Sequence, residues 1–364
     1  MVYKIIGLMS GSSLDGLDIV YAELQENAGK WNFIILEADC YRYNEEWKEK
    51  LKNAPALTAL EYQLLHAEYG HYLGAEVNRF IEEHGLQYKV ALISSHGHTS
   101  FHFPQQKMTA QLGDGAAIAA STGLPVVSDL RALDVAFGGQ GAPIVPIGEK
   151  FLFADFDMFL NIGGIANISF HNNGDYIAFD VCPANRVLNS LAAKVGKEYD
   201  ANGEMASAGN INESLLEKLN ELVYYKQLPP KSLDNSFGAD EVYPLIRSFA
   251  LTHNDSLRTY VEHIVFQIKN AITKNYHLPT ANCQLLVTGG GAFNGFLLTR
   301  LKEELQMLNI EVVIPDKQII EFKEALIMAF MGALRWRQEY TVLSSVTGAK
   351  RDSIGGAVWI GQEA

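Results

Sequence analysis

The sequence predicts an α/β protein made of two domains. Three observations carry this reading. The chain has 364 residues, enough for two domains of about 150 each. Short β-branched and apolar runs alternate with long segments of helical apolar spacing. A pattern of strand, small-residue turn and strand occurs once in each half.

Taken in order, residues 5–8 and 17–24 read as strands joined by Met9-Ser10-Gly11-Ser12-Ser13-Leu14-Asp15-Gly16, a turn rich in Gly, Ser and Asp. Across 56–84, Leu57, Leu60, Leu64, Leu65, Tyr69, Tyr72, Leu73, Val77, Phe80 and Ile81 fall at helical spacing. A short buried strand follows at 90–94, and then a small-residue helix at 115–122. Gly123-Leu124-Pro125 closes that helix, and 126–128 is another strand. The stretch Ala136-Phe137-Gly138-Gly139-Gln140-Gly141-Ala142-Pro143 is dense in glycine and ends in proline. It is the expected crossing, with an N-terminal domain of 1–136 and a C-terminal domain of 137–364. The last helix remains able to pack back on the first domain.

Past that point the first pattern returns. Strands at 157–161 and 168–170 flank Ile162-Gly163-Gly164-Ile165-Ala166-Asn167, and Asn172-Asn173-Gly174 closes a hairpin into 176–180. Helices are expected at about 185–195, 212–224 and 240–276. A strand at 284–287 runs into Thr288-Gly289-Gly290-Gly291, which opens a helix through about 306. The last helix covers about 322–340.

Composition narrows the function. Lys and Arg number 29 against 42 Asp and Glu, a formal net charge of −13. This argues against nucleic-acid or anionic-membrane partners, which need clustered cations. Cys40, Cys182 and Cys283 are widely separated and form no CxxC pair, as suits a reducing compartment. The N-terminus lacks the apolar stretch and cleavage site of a secretory signal. No apolar run approaches the ~20 residues that span a bilayer. The expected location is the cytoplasm.

Neither a P-loop nor a GxGxxG fingerprint occurs. Instead, two Gly-rich turns join strand to strand, and backbone N–H groups at such tips can hold phosphates. The Ser12 and Ser13 hydroxyls add donors. Glycine suits this role because a Cβ would block close approach. Asp15 and Asp18 beside the turn would repel bare phosphate, so they make sense with a divalent cation between. Each turn alone is more often a solvated β-turn. Three in this order, with Gly289-Gly290-Gly291 at a helix N-terminus, point more strongly to a nucleotide. His96, His98 and His102 lie at alternate strand positions, but no carboxylate or cysteine nearby completes a metal-ligand set.

Ser10-Gly11-Ser12-Ser13-Leu14-Asp15-Gly16-Leu17-Asp18 resembles the first phosphate motif of the anhydro-N-acetylmuramic acid kinases, within the sugar kinase/Hsp70/actin superfamily. The resemblance extends through His96-Gly97-His98-Thr99, Gln111-Leu112-Gly113-Asp114, Asp129-Leu130-Arg131 and Asp134–Pro143. It continues in Asn161–Asn167, Pro229-Pro230-Lys231-Ser232, Thr288–Asn294, Glu324-Ala325 and Val346-Thr347-Gly348-Ala349.

The resemblance implies two actin-like (ribonuclease H-like) domains with an inter-domain nucleotide cleft. It also implies ATP and Mg2+ as cofactors, a small amino-sugar substrate and a homodimer. The implied reaction is hydrolytic opening of the 1,6-anhydro ring with phosphorylation at O6. Asp180 in Phe179-Asp180-Val181-Cys182-Pro183-Ala184-Asn185 is the implied base. Gly11, Ser12, Ser13, Leu14, Asp15, Gly16, Leu17, Asp18, Asn161, Gly163, Gly164, Gly289, Gly290, Gly291 and Asn294 are implied for the nucleotide. Asp15 and Asp18 would take Mg2+, directly or through water. His96, Thr99, Arg131, Gln140, Asn185 and Glu324 are implied for the sugar, with Arg131 facing a lactyl carboxylate.

Three places depart from the family pattern. Val181-Cys182 stands for Thr-Gly, His98 for Gln, and Leu233-Asp234-Asn235 for Thr-Gly-Arg. They keep open the alternatives of a nucleotide- or muropeptide-binding sensor and of a plain sugar kinase with another acceptor. Cys182 reads as a buried, inert thiol rather than a nucleophile.

Overall fold

The computed structural model describes residues 1–11, 13–172, 175–229, 231–234, 236–276 and 283–361. Ser12, Asn173 and Gly174 of the expected hairpin turn, Pro230 and Asn235 lie outside them. The chain forms two compact units, Met1–Ala154 with Phe322–Ala364, and Asp155–Glu321.

The first unit is built on a mixed sheet of β1 (Val2–Ser10), β2 (Gly16–Asn27), β3 (Lys30–Arg42), β4 (Leu92–Phe103), β5 (Met108–Leu112) and β6 (Val126–Ser128), completed by a short strand Ala357–Trp359. β1 pairs antiparallel with β2 and β2 with β3, while β1 and β4, and β4 and β6, run parallel. The helix Ala59–Glu83 supplies the long connection into β4. It opens with a capping box in which Thr58 and Glu61 satisfy each other's backbone N–H groups.

The second unit repeats this order. β7 (Met158–Ile162), β8 (Ile165–Asn172) and β9 (Asp175–Pro183) form an antiparallel meander. β10 (Cys283–Thr288) runs parallel to β7, and β11 (Ile310–Val313) parallel to β10. The two-fold repeat of strand, turn and strand is therefore the start of a larger repeat: three antiparallel strands, a helical crossover and two parallel strands. Each unit has its own apolar core. In the first unit it forms around Ile6, Leu8, Tyr69 and Phe80, and in the second around Leu160, Phe170, Tyr260 and Leu285.

Several elements differ from the sequence-based expectation. The Gly-rich stretch at 136–143 is tied into the first unit rather than forming the crossing. Gly139 N donates to Asp134 O, Gln140 N to Thr347 O, and Lys350 N to Phe137 O. The chain passes to the second unit at Ala154, and Phe322 onward returns to the first. The helix expected at 240–276 is interrupted: Ala250 has φ 49°, and Thr252 caps a fresh helix His253–Asn275 through Asp255 N. The last long helix, Lys317–Trp336, begins earlier than expected, where Asp316 accepts from Ile319 N. It crosses β1 closely, since a Cβ on Gly7 would lie 2.0 Å from Ala325 O.

Candidate active site

In the first unit, the β1–β2 turn puts Gly11, Ser13, Leu14 and Asp15 between the paired residues Ser10 and Leu17. Leu14 occupies the left-handed region at φ 60°, a conformation that costs a residue with a Cβ roughly 1–2 kcal/mol. Ser13 and Asp15 are exposed, and Asp18 is half-buried.

Beneath the turn lies a buried polar chain. Tyr43 donates to Ser10 Oγ at 2.8 Å, Ser10 Oγ meets His98 Nδ1 at 3.1 Å, and the Tyr43 and Tyr69 hydroxyls are 2.6 Å apart. Burial pushes the His98 imidazole down to about 4, so it is neutral at pH 7. Nothing in the sequence pointed to Tyr43 and Tyr69 here, because Tyr43 follows β3, which had not been expected. Burial, with Asp18 and Asp15 adding to it, pushes the Cys40 thiol up to about 12. Both carboxylates therefore act on one point beside the turn.

His96 and Arg131 form the second cluster. Arg131 Nε donates to His96 Nε2 at 2.8 Å, so the imidazole proton sits on Nδ1, which lies 2.8 Å from the Gly97 carbonyl. Burial, then the adjacent guanidinium, holds His96 down to about 3. With both ring nitrogens committed, His96 orients Arg131. A second bond from Arg131 Nη1 reaches Gly141 O at 2.6 Å, leaving Nη2 and one Nη1 proton for a ligand. Burial lowers Arg131 to about 10, opposed by the charges of Glu324 and Asp134.

Asp134, fully buried, accepts from Gly141 N at 2.8 Å and Thr347 Oγ1 at 2.7 Å. It was visible in the sequence only as part of a quoted motif. Glu324 lies well inside the last helix, so the dipole role of a first-turn acid does not apply. Its carboxyl is raised by burial, opposed by Lys323 and Arg131. Thr99 and Gln140 are exposed, and Gln111 Nε2 reaches Thr99 Oγ1 at 3.4 Å. The three histidines diverge, since His102 turns instead to Thr109. Among the described residues, no group of three potential ligands could hold a metal.

In the second unit, Gly163 and Gly164 form the β7–β8 turn, and Asn161 sits just before it in β7, paired with Asn167. The carbonyls of Gly163 and Gly164 accept from Asn185 N and Ala184 N, at the start of the helix Asn185–Ala192. Asn185 Nδ2 donates to Ile162 O at 2.9 Å, which places Asn185 with the phosphate-type turns. Gly289 has φ +80°, and a Cβ there would lie 2.4 Å from Asn161 Oδ1. Gly290–Phe293 forms a 3-10 turn rather than the expected first turn of the α-helix. The helix starts at Gly295, with Asn294 Oδ1 capping Leu297 N. The Asn294 side chain is thus partly committed to the cap.

Asp180 lies within β9, where it pairs with Asn167 of β8. Its Oδ2 accepts from Leu233 N at 2.8 Å, its carbonyl accepts from Tyr224 OH at 2.6 Å, and its own N–H donates to Lys231 O at 3.2 Å. Burial raises the carboxyl, opposed by the Leu233 bond and the Lys231 charge. The clasp from Leu233 was missed in the sequence, since that loop departs from the family pattern. Asp180 pairs with Asn167 and Cys182 with Ala166, so Val181 is a bulge residue. Val181 and Cys182 both sit in the core, and burial pushes the Cys182 thiol well up. The thiol is inert packing.

The sequence profile of the family described as Anhydro-N-acetylmuramic acid kinase matches residues 3–361. The chain belongs to the anhydro-N-acetylmuramic acid kinase family. A relative of that name from Sulfurimonas denitrificans is 34% identical, over 97% of this chain and 98% of its own. Another from Clostridioides difficile is 32% identical, over 97% of each. Among solved structures, the activator of the 2-hydroxyisocaproyl-CoA dehydratase from Clostridium difficile with bound ADPNP aligns at a TM-score of 0.46. It is 14% identical, over 93% of this chain and 96% of that one. The fold is instead given by the family together with the repeated sheet order. This kinase consists of two actin-like α/β units of the sugar kinase/Hsp70/actin superfamily. It is an enzyme of the alcohol-acceptor kinase class, and membership implies ATP as phosphoryl donor. No helix among the described residues is long and apolar enough to cross a membrane.

Proposed function

We propose that this kinase adds water across the 1,6-anhydro bond of anhydro-N-acetylmuramic acid and transfers the γ-phosphoryl group of ATP to the freed O6. The product is N-acetylmuramic acid 6-phosphate, and the setting is cytoplasmic cell-wall recycling. The observation that carries the proposal is the family match over essentially the whole chain. Asp180 is the base: the Leu233 clasp fixes its carboxylate, and a raised pKa suits a base working near neutrality.

In the step, water attacks the anomeric carbon and gives its proton to Asp180. The bond from that carbon to O6 breaks toward O6, and O6 attacks the γ-phosphorus as the bond to ADP breaks. Asp180 then releases its proton to solvent. Arg131, oriented by His96 and Gly141, pairs with the lactyl carboxylate through its remaining N–H groups. Glu324, Thr99 and Gln140 complete the sugar contacts on the first unit.

The Gly11–Asp18 turn, the Asn161, Gly163 and Gly164 turn, Gly289–Gly291 and Asn294 take the nucleotide. Asn185 spans both assignments, since it braces the β7–β8 turn. Asp15 and Asp18 would hold Mg2+ through one or two carboxylates and water. Bound Mg2+ would neutralise charge on the transferring phosphates. The enzyme is proposed to act as a homodimer.

Asp180→Asn tests the role of the base. Asn keeps an oxygen for Leu233 N but cannot take a proton. Turnover should collapse while calorimetric ATP affinity stays near wild type. Turnover near wild type would remove Asp180 from the mechanism.

A further inference from the structure

The chain carries a net charge of −13, yet one cavity of the second unit gathers three lysines. Lys226, Lys231 and Lys274 line it together with Phe179, Val181 and Asn270. Among the described residues, none of the three lysines has a carboxylate within ion-pair distance. Lys231 is half-buried, with Nζ 4.4 Å from the Tyr224 ring centroid and 3.4 Å from the Tyr224 carbonyl. Its ammonium is held below the usual lysine range by burial and by the charge of Lys274, with Asp180 and Cys182 acting the other way.

Three lysines at one concavity on an acidic protein, of which only Lys231 feels a nearby carboxylate, leave an excess of positive charge. An anion entering the cavity would relieve it. Asn270 and Gln227 add neutral donors at the rim, and the Phe179 and Val181 side chains form an apolar floor. Such compact ammonium donors suit phosphate, which accepts from several sides.

We propose that this cavity binds a phosphate dianion, supplied either as inorganic phosphate or as a phosphomonoester. Asp180 is not among the lining residues, whereas its neighbours Phe179 and Val181 are. The site is therefore separate from the sugar and nucleotide residues assigned above. It adjoins the loop that clasps Asp180, since Lys231 contributes its side chain to the cavity and its carbonyl to the Asp180 N–H.

The test is lysine acetylation footprinting by mass spectrometry, paired with calorimetry. Inorganic phosphate, glucose 6-phosphate and chloride at matched ionic strength are added to the intact protein. The proposal predicts that phosphate or the phosphomonoester protects Lys226, Lys231 and Lys274 together, and chloride does not. The tighter of the two identifies the source. Affinity should fall about tenfold for each lysine removed in Lys226→Gln and Lys274→Gln, the loss of one charge-assisted contact. Both positions are exposed, so a matched unfolding midpoint verifies the variants. Equal labelling with and without phosphate in wild type, or protection by chloride alike, overturns the proposal. Neither readout requires turnover, so it fails or stands apart from the kinase reaction.

Discussion

His96→Leu removes an imidazole whose two ring nitrogens are already bound to Arg131 and Gly97, and it should weaken sugar binding through Arg131. The side chain is 3% exposed and makes two bonds of 2.8 Å, one with a guanidinium and one with the Gly97 carbonyl. A bond to a charged group contributes roughly 1.5–3 kcal/mol and a neutral one roughly 0.5–1.5, so about 2–4 kcal/mol of fold stability is lost. Leucine fills similar space, which limits any cavity penalty. Arg131 keeps only its Gly141 anchor and loses the orientation needed for bidentate pairing. KM for the anhydro-sugar should rise roughly 10- to 100-fold, equivalent to about 1.4–2.7 kcal/mol. ATP affinity should hold, with kcat falling far less than KM rises. Steady-state kinetics with the sugar varied at saturating ATP, beside urea unfolding, separates the two effects. A full loss of stability with an unchanged sugar KM would refute the positioning role.

Gly289→Ala forces a Cβ into a left-handed backbone 2.4 Å from Asn161 Oδ1. That strain should cost roughly 2–4 kcal/mol and appear in calorimetry as weaker ATP binding with sugar binding spared. The ion pair Lys323–Glu149, at 2.8 Å with side chains 4% and 5% exposed, makes Lys323→Met destabilising by about 3–5 kcal/mol in urea titration. Pairing it with Glu149→Gln should recover part of the loss.

Histidine burial sets a further pH dependence. His263 is held down to about 3 by burial. The unfolded chain therefore binds its proton first, and stability falls as pH drops below about 6.5, by up to about 1.4 kcal/mol per pH unit. The His263→Gln variant should lose less stability than wild type between pH 6.5 and 5. Parallel losses would contradict this. Asp180 acts in the opposite sense. Its raised carboxyl favours the protonated fold, so its contribution to stability is lost as pH rises from the ordinary carboxylate range through its folded pKa, and its activity as base appears as it deprotonates.

The repeat was legible because β1 and β2 in one unit, and β7 and β8 in the other, each pair around a turn of small residues. The rest of each sheet was harder to read. β3 alternates exposed with half-buried positions along an edge, only Trp31 being buried, and its polar residues broke the apolar run. The break before Thr252 was encoded in Thr252-His253-Asn254-Asp255, a capping signature hidden within a long helical pattern. Glycine content suggested a domain crossing at 136–143, but Asp134 and Thr347 tie that stretch down, and such distant partners leave no local trace. In the site, residue identities came from motifs. The orientation of Arg131 by His96, the Leu233 clasp on Asp180 and the Val181 bulge depend on contacts across the sheet and between loops.

The most direct measurement is the mass of the product formed from purified protein, Mg-ATP and anhydro-N-acetylmuramic acid. The account predicts a sugar heavier by one phosphate and one water. In water labelled with oxygen-18, the label should enter the sugar and not the phosphate. A product heavier by phosphate alone, or no product at all, would contradict it.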